Sequence, residues 1–216
     1  MTVASILSPL DPLSTTDTVA DALFDLAEAH IAHLPVLDPS GGLDSIATEA
    51  ALRAHPDPEA PLGALVAGEP VSIALDTHVF DAAHVMRQHG LSAVPVLEDG
   101  RYAGFVVRSD VFAQLAHMLA TEEPGAIVVL EVERSDFSLG QVAQIVEQNG
   151  VRILSVSTED DPGAGRVRVT LKLNVTDTAR VRHVMAHYDY RVVAVFDEAE
   201  DNLQERAAEF LRYLDL

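Results

Sequence analysis

The chain has 216 residues, of which 48% are hydrophobic and 22% charged, and it contains no cysteine. Its 14 basic and 34 acidic residues give a net charge of −20, which repels phosphate backbones and makes nucleic acid a poor partner. The lack of cysteine excludes disulfides, Cys-ligated zinc, iron–sulfur clusters and thiol catalysis.

The same composition bears on where the protein works. No stretch approaches the roughly 18 apolar residues that a membrane span needs, and the N-terminus has neither a basic start nor a long apolar run. We therefore expect a cytoplasmic protein with no membrane partner. Lys172 is the only lysine. Few lysines beside this excess of carboxylates favour a salt-rich, halophilic cytoplasm, because salt screens the self-repulsion.

An internal repeat organises the first 122 residues. Asp17–Ala22 matches Thr77–Ala82, and Leu34–Leu37 matches Val94–Leu97, both at an offset of 60. We call residues 1–60 repeat 1 and residues 61–122 repeat 2. His55–Pro61 carries three prolines, which predicts a stiff, non-helical connector between them.

Each repeat predicts a short extended entry, a helix, a hairpin and a second helix. Gly90 is predicted to end the first helix of repeat 2 as a left-handed cap. The first helical stripes are Val19, Ala22, Leu23, Leu26, Ala27 and Val79, Ala82, Ala83, Met86; the hairpins are Leu34–Leu37 with Leu43–Ala47 and Val94–Leu97 with Tyr102–Val107; the clearest second helix is Val111, Phe112, Leu115, Ala116, Leu119.

Residues 125–197 have a different pattern. They predict a strand, helix, strand, strand, helix and strand, the βαββαβ order of a ferredoxin-like domain. The strands are Ala126–Val132, Val151–Val156, Val167–Val175 and Arg191–Phe196; the helical stripes are Leu139, Val142, Ala143, Val146 and Val181, Val184, Met185, Tyr188.

Residues 198–216 predict a terminal helix with one apolar face. Leu203, Ala207, Phe210, Leu211 and Leu214 recur at helical spacing. Such a face must dock either on its own domain or across a subunit boundary.

The motifs resemble those of known domains. The sequences His33-Leu34-Pro35-Val36 and Ala93-Val94-Pro95-Val96, with the turn Gly104–Asp110, resemble a pair of CBS domains. The third region resembles an ACT domain, and the full order is similar to the acetoin-utilisation accessory protein family. The resemblance implies an α+β fold: a tandem CBS (β-α-β-β-α) pair, a ferredoxin-like ACT domain and the C-terminal amphipathic helix, assembled as a homodimer.

CBS pairs commonly bind AMP, ADP, ATP or S-adenosylmethionine in clefts between their halves. Backbone N–H groups at the strand-to-helix turn face phosphate, an Asp accepts ribose hydroxyls, and the Pro-Val strand contacts the adenine. The resemblance therefore implies adenosine-ligand contacts at Val94, Pro95, Gly104, Arg108, Ser109 and Asp110 in repeat 2, and at His33, Pro35 and Thr48 in repeat 1.

Both turns depart from the CBS motif. The first keeps the hydroxyl of Thr48 but has Ala51 in place of the carboxylate, whereas the second keeps Asp110 but has Val107 in place of the hydroxyl. A purely structural alternative is that Thr48 and Ser109 are helix N-caps and that Asp110 stabilises a helix dipole.

Two further sites lack part of their expected pattern. Phe137 stands where amino-acid-binding ACT domains carry a glycine, which argues against amino-acid binding. His183 and His187 are four residues apart on a predicted helix, but the glutamate of H-E-x-x-H is absent, so surface histidines are favoured over a metal site.

The sequence thus favours a cytoplasmic regulatory protein that senses an adenosine ligand in the CBS pair. No G-x-S-x-G, Walker-type loop or Ser/His/Asp spacing occurs, so we expect no enzymatic activity. The alternative is a ligand-free oligomerisation scaffold that recruits a protein partner through the ACT domain or the C-terminal helix. A third interpretation is a metal or small-metabolite binder.

Overall fold

The computed structural model of the protein describes residues 1–65, 70–161, 163, 165–188 and 190–196. The chain forms two compact units: the first is Met1–Leu115, and the second begins at Ala116. The amphipathic helix predicted for residues 198–216 lies outside the described residues. In the described part, no helix is long and apolar enough to cross a membrane.

The first compact unit contains both repeats. Each has a short parallel strand beside an antiparallel hairpin, which gives three-stranded sheets of order β1-β2-β3 and β4-β5-β6. The elements of repeat 1 are β1 (Leu13–Ser14), α1 (Val19–Glu28), β2 (His33–Leu37), β3 (Leu43–Thr48) and α2 (Glu49–Ala54); those of repeat 2 are β4 (Ile73–Ala74), α3 (Val79–His89), β5 (Ala93–Glu98), β6 (Arg101–Val107) and α4 (Arg108–Met118).

Local sequence signals explain where the helices begin and end. The Thr18 side chain accepts the amide of Asp21, and the Asp21 carboxylate accepts the amide of Thr18, a capping box that starts α1. Helix α3 ends at Gly90, whose φ of +68° is the predicted left-handed cap.

The segments that precede the repeats are exchanged between them. The Val3 amide donates to Thr77 O at 2.9 Å and the Ser8 amide to Phe105 O at 2.8 Å, which attaches the N-terminal segment to repeat 2. The Leu62 amide donates to Asp17 O at 2.9 Å, which attaches the connecting segment to repeat 1. The repeats are therefore held together by backbone hydrogen bonds in both directions.

The second compact unit contains a four-stranded antiparallel sheet of order β10-β7-β9-β8. Its elements follow the predicted βαββαβ order: β7 (Ile127–Glu133), α5 (Leu139–Gln148), β8 (Ile153–Asp161), β9 (Arg166–Leu173), α6 (Ala179–His187) and β10 (Arg191–Phe196).

The two faces of this sheet have different partners. Val128, Leu130 and Val169 lie on the face that packs against α5 and α6 and form the core. We call the opposite side the open face. By strand alternation and register it consists of Ile127, Val129, Glu131, Glu133 (β7), Arg166, Arg168, Thr170, Lys172 (β9), Ser155, Ser157, Glu159 (β8) and Arg191, Ala194, Phe196 (β10).

The apolar stripe predicted for the second helix of repeat 2 is only partly buried. Val111 is buried, but Phe112 is 71% exposed, and Leu119 is 45% exposed and lies beyond the helix, which ends at Met118. Ala27, predicted in the stripe of α1, is exposed as well. Helical periodicity identifies an apolar face, but whether another element covers that face depends on tertiary packing.

Candidate functional site

The Pro-Val strands β2 and β5 are the central strands of their sheets and lie against each other where the repeats meet. Pro35 and Pro95 are buried and pair with Ile46 and Phe105 of the neighbouring strands. The core of repeat 1 also contains Phe105 from repeat 2. The junction between the repeats is therefore a packed interface.

Three polar residues lie near one another at the starts of β2, β5 and α4, and we call His33, Ser92 and Arg108 the junction cluster. The Ser92 amide donates to His33 Nδ1 at 3.1 Å, and Ser92 Oγ lies 3.0 Å from the same nitrogen. The Ala32 amide donates to Ser92 Oγ at 2.9 Å. Because Nδ1 accepts an amide hydrogen, the neutral imidazole carries its proton on Nε2.

Arg108 completes the cluster. Its Nε donates to Leu91 O at 3.2 Å, and its Nη2 donates to the same carbonyl. Its amide donates to Ser92 O at 2.8 Å, as the Glu49 amide donates to Ala32 O at 2.9 Å in repeat 1. The second helix of each repeat thus starts with the same hydrogen bond.

The electrostatics of the cluster favour a neutral imidazole. Burial lowers the pKa of His33 below its ordinary value, and the nearby guanidinium of Arg108 lowers it further. At neutral pH, His33 is therefore a hydrogen-bond acceptor towards Ser92, and Arg108 supplies the positive charge.

The strand-to-helix turn of repeat 2 ends at α4. Asp110 is half-buried in the first turn of this helix, and Ser109 is exposed. Since the first four amides of a helix have no intrahelical acceptor, this turn offers donors to an anion. Helix α4 begins at Arg108, so Ser109 lies inside it, and the N-cap alternative is wrong for Ser109.

The equivalent turn of repeat 1 is engaged in capping. Thr48 Oγ1 accepts the Ala51 amide at 3.2 Å, so the N-cap interpretation of Thr48 is confirmed. Thr48 is also the cross-strand partner of His33. The structure therefore brings His33, Thr48 and Arg108 into one neighbourhood.

Gly104 and Val94 lie elsewhere. Val94 is fully buried in the core of repeat 2 with Val96, the cross-strand partner of Gly104. Gly104 has a φ of +143°, and a Cβ built on it would lie 3.4 Å from the side chain of Leu7. The side chain of Leu7 therefore borders the space beside Gly104.

Sequence reasoning did not identify Ser92. Its signal was the comparison of the repeats, because Ser92 stands at an offset of 60 from Ala32, directly before a Pro-Val strand. A hydroxyl that replaces Ala32 in only one copy breaks the symmetry of the pair and makes the contact with His33 possible.

The histidines of α6 are on the surface. His183 and His187 are both exposed. Among the residues that the structure describes, no group of three or more His, Asp or Glu side chains has an arrangement that could hold a metal ion.

Comparison with known proteins supports the class of the first unit. Residues 62–117 match the CBS domain family, and this span holds both the Pro-Val strand and the Gly104–Asp110 turn. Repeat 1 has the same elements in the same order. The CBS prediction is thereby confirmed for residues 62–117, within an α+β fold.

Three solved structures are similar to part of the chain. The CBS domains of a transcriptional regulator from Streptococcus pneumoniae are 21% identical and cover 52% of this chain and 98% of theirs, with a TM-score of 0.47. A CBS domain pair/ACT domain protein from Thermotoga maritima is 18% identical, with coverages of 55% and 99% and a TM-score of 0.49. CBSX2 in complex with AMP is 22% identical, with coverages of 54% and 96% and a TM-score of 0.46.

One curated protein is similar over part of the chain. The A-adding tRNA nucleotidyltransferase of Aquifex aeolicus is 33% identical over 98 residues, which is 44% of this chain. The match spans only 12% of the length of that enzyme. It therefore concerns a fraction of a much larger protein.

Proposed function

We propose that the CBS pair binds an adenosine ligand, AMP, ADP, ATP or S-adenosylmethionine, and that the protein is a cytoplasmic regulator without catalytic activity. The observation that carries the proposal is Asp110, a half-buried carboxylate in the first turn of α4, inside the span that matches the CBS family. This is the position where the CBS resemblance implies a ribose contact.

The chemistry of the turn suits such a ligand. A carboxylate accepts two hydroxyls at once, so Asp110 is matched to the 2′ and 3′ hydroxyls of ribose. The first-turn amides that follow Arg108, whose own amide is bonded to Ser92 O, and the remaining side-chain N–H groups of Arg108 are matched to phosphate. The CBS resemblance assigns the adenine contact to Pro95 and Pro35, which are buried where the repeats meet.

Regulation follows from the position of the site beside the junction cluster. His33 belongs to repeat 1, whereas Ser92 and Arg108 belong to repeat 2, so a ligand on Arg108 would lie beside the His33–Ser92 hydrogen bonds that join the repeats. A ligand that binds one arrangement of the repeats better than another shifts the population towards it. The ACT-like domain and a homodimeric partner chain are the proposed recipients of that change, and the resemblance to acetoin-utilisation proteins leaves the client open.

Calorimetric titration of the four ligands into the full chain tests the proposal. Asp110→Asn should weaken binding by about 1.5–3 kcal/mol, roughly a 10- to 150-fold loss, as expected for a hydrogen bond to a charged group. Asp81→Asn is the matched control, because it removes the same charge from the first turn of α3. Equal affinities of the two variants, or no binding at millimolar ligand, would refute the proposal.

A ligand-free scaffold is the second candidate function, and an apolar groove favours it. The groove lies between α3 and α4, has a volume of about 380 Å³, and is lined by Met86, Val111, Phe112 and Leu115 with Arg87 and Arg108. Phe112 and, on α3, Phe80 are 71% and 57% exposed. In this interpretation the groove is the homodimer contact and Leu7 permanently fills the space beside Gly104.

A further inference from the structure

We propose that the groove between α3 and α4 binds a small amphipathic carboxylate, a medium-chain fatty acid, whose charged group lies between Arg87 and Arg108. The described residues that line the groove all belong to the first compact unit. The groove has a volume of about 380 Å³, within the range of about 300–1,000 Å³ that is typical of small-molecule pockets. This inference goes beyond the adenosine ligand and does not depend on it.

The walls of the groove are apolar. Met86 and Val111 line it, are each 2% exposed and belong to the core of repeat 2, so they form its floor. Leu115 and Ala83 line it as well and pack against the same core. Phe112 is 71% exposed and forms the rim. An alkyl chain in the groove would therefore be removed from water by side chains of both helices.

Both cations of the groove lie at the same end. Arg87 is in the last turn of α3, and Arg108 is the first residue of α4. The Arg108 side chain donates to the carbonyl of Leu91, which directly follows the Gly90 cap of α3. This bond holds the guanidinium beside the end of α3 that carries Arg87. The groove therefore has one charged end and one apolar end, as an amphipathic ligand does.

The charged end has no anion of its own. Among the described residues that line the groove, none is a carboxylate, although the chain has 34 acidic residues. Neither Arg87 nor Arg108 forms an ion pair with any described residue. A guanidinium has five N–H donors, and Arg108 uses only part of them on Leu91. A carboxylate would gain charge-assisted hydrogen bonds here without displacing another anion.

The length of the groove sets the length of the ligand. Leu115 lies seven residues after Arg108 on α4, about 10 Å at about 1.5 Å per residue. An extended alkyl chain advances roughly 1.3 Å per carbon, because its C–C bonds of about 1.5 Å are staggered. The groove therefore matches a carboxylate of about eight carbons, at this advance per carbon.

Charge favours this ligand over a second copy of the chain. A two-fold contact places the same surface patch on both sides of an interface. A second copy would therefore bring two further arginines, and no carboxylate of the described lining, to the charged end. A fatty acid supplies both the apolar surface and the anion, so it is the occupant that the groove fits.

Calorimetric titration of octanoate into the full chain, without nucleotide, tests the inference. Hexanoate should bind roughly tenfold more weakly, because two fewer methylenes are buried. Octylammonium has the same chain length and the opposite charge, and it should bind at least tenfold more weakly than octanoate. Because the whole chain has a net charge of −20, a preference for the anion reports a local cationic site.

Two substitutions locate the binding. Arg87→Gln removes the charge of an exposed side chain and should weaken octanoate binding about fivefold or more, as for a lost hydrogen bond to a charged group. Arg101→Gln is the matched control, because Arg101 is exposed on β6 and outside the described lining, and the affinity should not change. Phe112→Ser should also weaken binding while the far-UV circular dichroism is retained.

Three outcomes would overturn the inference. The first is equal affinity for octanoate and octylammonium, and the second is an equal effect of Arg87→Gln and Arg101→Gln. The third is no octanoate binding at millimolar concentration. If light scattering of that sample gives twice the chain mass and Phe112→Ser restores the mass of one chain, the occupant of the groove is a second copy.

Discussion

The hydrogen bonds at the junction between the repeats make Ser92 an informative position. Ser92→Ala removes one oxygen and introduces the residue that repeat 1 carries at the equivalent position, Ala32. The lost oxygen accepts the Ala32 amide at 2.9 Å and lies 3.0 Å from His33 Nδ1, and both contacts join residues about 60 positions apart. The substitution therefore leaves the helices and strands of each repeat intact and weakens the contact between them.

The magnitude follows from the groups left without a partner. The part-buried Ala32 amide loses its acceptor, which costs about 1–3 kcal/mol of unfolding free energy. The Ser92 amide still donates to His33 Nδ1, so part of the junction remains. Ser5→Ala is the control, because the hydroxyl of Ser5 is exposed and bonds only to Thr2 O, three residues away. Its effect should stay within about 0.5 kcal/mol.

Acidification should act on the same contact. The folded-state pKa of His33 is lowered, so between that pKa and the ordinary value near 6.5 the unfolded chain binds more protons than the folded one. The stability that neutral His33 contributes is therefore fully present above the pKa of the unfolded state, near 6.5. It is lost as the pH falls through the lower pKa of the folded state. His33→Asn retains an acceptor and cannot titrate, so this variant should lose less stability on acidification.

Urea unfolding of the full chain, followed by circular dichroism at pH 7.5 and pH 5, measures both effects. If Ser92→Ala and Ser5→Ala have the same midpoint at pH 7.5, the junction hydrogen bond does not contribute to stability. If His33→Asn and the parent protein lose equal stability between the two pH values, then His33 does not titrate as described, and the acid sensitivity belongs to other groups.

Two further predictions concern packing. At Gly125, where φ is +150°, an added Cβ would overlap the carbonyl oxygen of Leu173, so Gly125→Ala should destabilise the second unit by about 3 kcal/mol or more. Gly90→Ala is the control, because φ is +68° there and the surrounding space is open; it should lower the unfolding free energy by only about 1–2 kcal/mol in thermal unfolding. If both variants lose the same stability, the overlap of the Gly125→Ala Cβ with the Leu173 carbonyl oxygen is relieved at no cost. Phe112→Ser should lower the mass measured by light scattering if the groove between α3 and α4 joins two copies. The matched change Phe24→Ser, at an exposed position on α1, should leave the mass unchanged. If Phe112→Ser also leaves the mass unchanged, the groove is not part of a contact between two copies.

The sequence predicted the elements well where the signal is local. The match at an offset of 60 identified two copies of one unit, and turn residues placed both hairpins close to their observed bounds. Capping chemistry behaves the same way, because Thr48 and Gly90 act on amides and carbonyls within a few residues of themselves. Alternating and helical periodicity also indicated the βαββαβ order of the second unit.

The candidate site was less predictable because motif residues adjacent in sequence point to different surroundings. Gly104 and Asp110 belong to one motif, yet Gly104 lies beside Leu7 at the margin of the core of repeat 2, whereas Asp110 is half-buried in the first turn of α4. Strand alternation sends neighbouring residues to opposite faces, and a spacing motif does not record which face another segment covers. The same reason accounts for the exposure of Phe112.

The sequence by itself determined the number of repeats, the CBS class of residues 62–117 and the βαββαβ order of the second unit, because these depend on local periodicity and residue chemistry. Only the tertiary structure decided that Ser92 bonds to His33, 59 residues away, and that Leu7 borders the space beside Gly104. The first contact exists because β2 and β5 lie against each other where the repeats meet, and the second because the N-terminal segment is attached to repeat 2. Such packing is specified by the summed burial of many side chains, and no single motif encodes it.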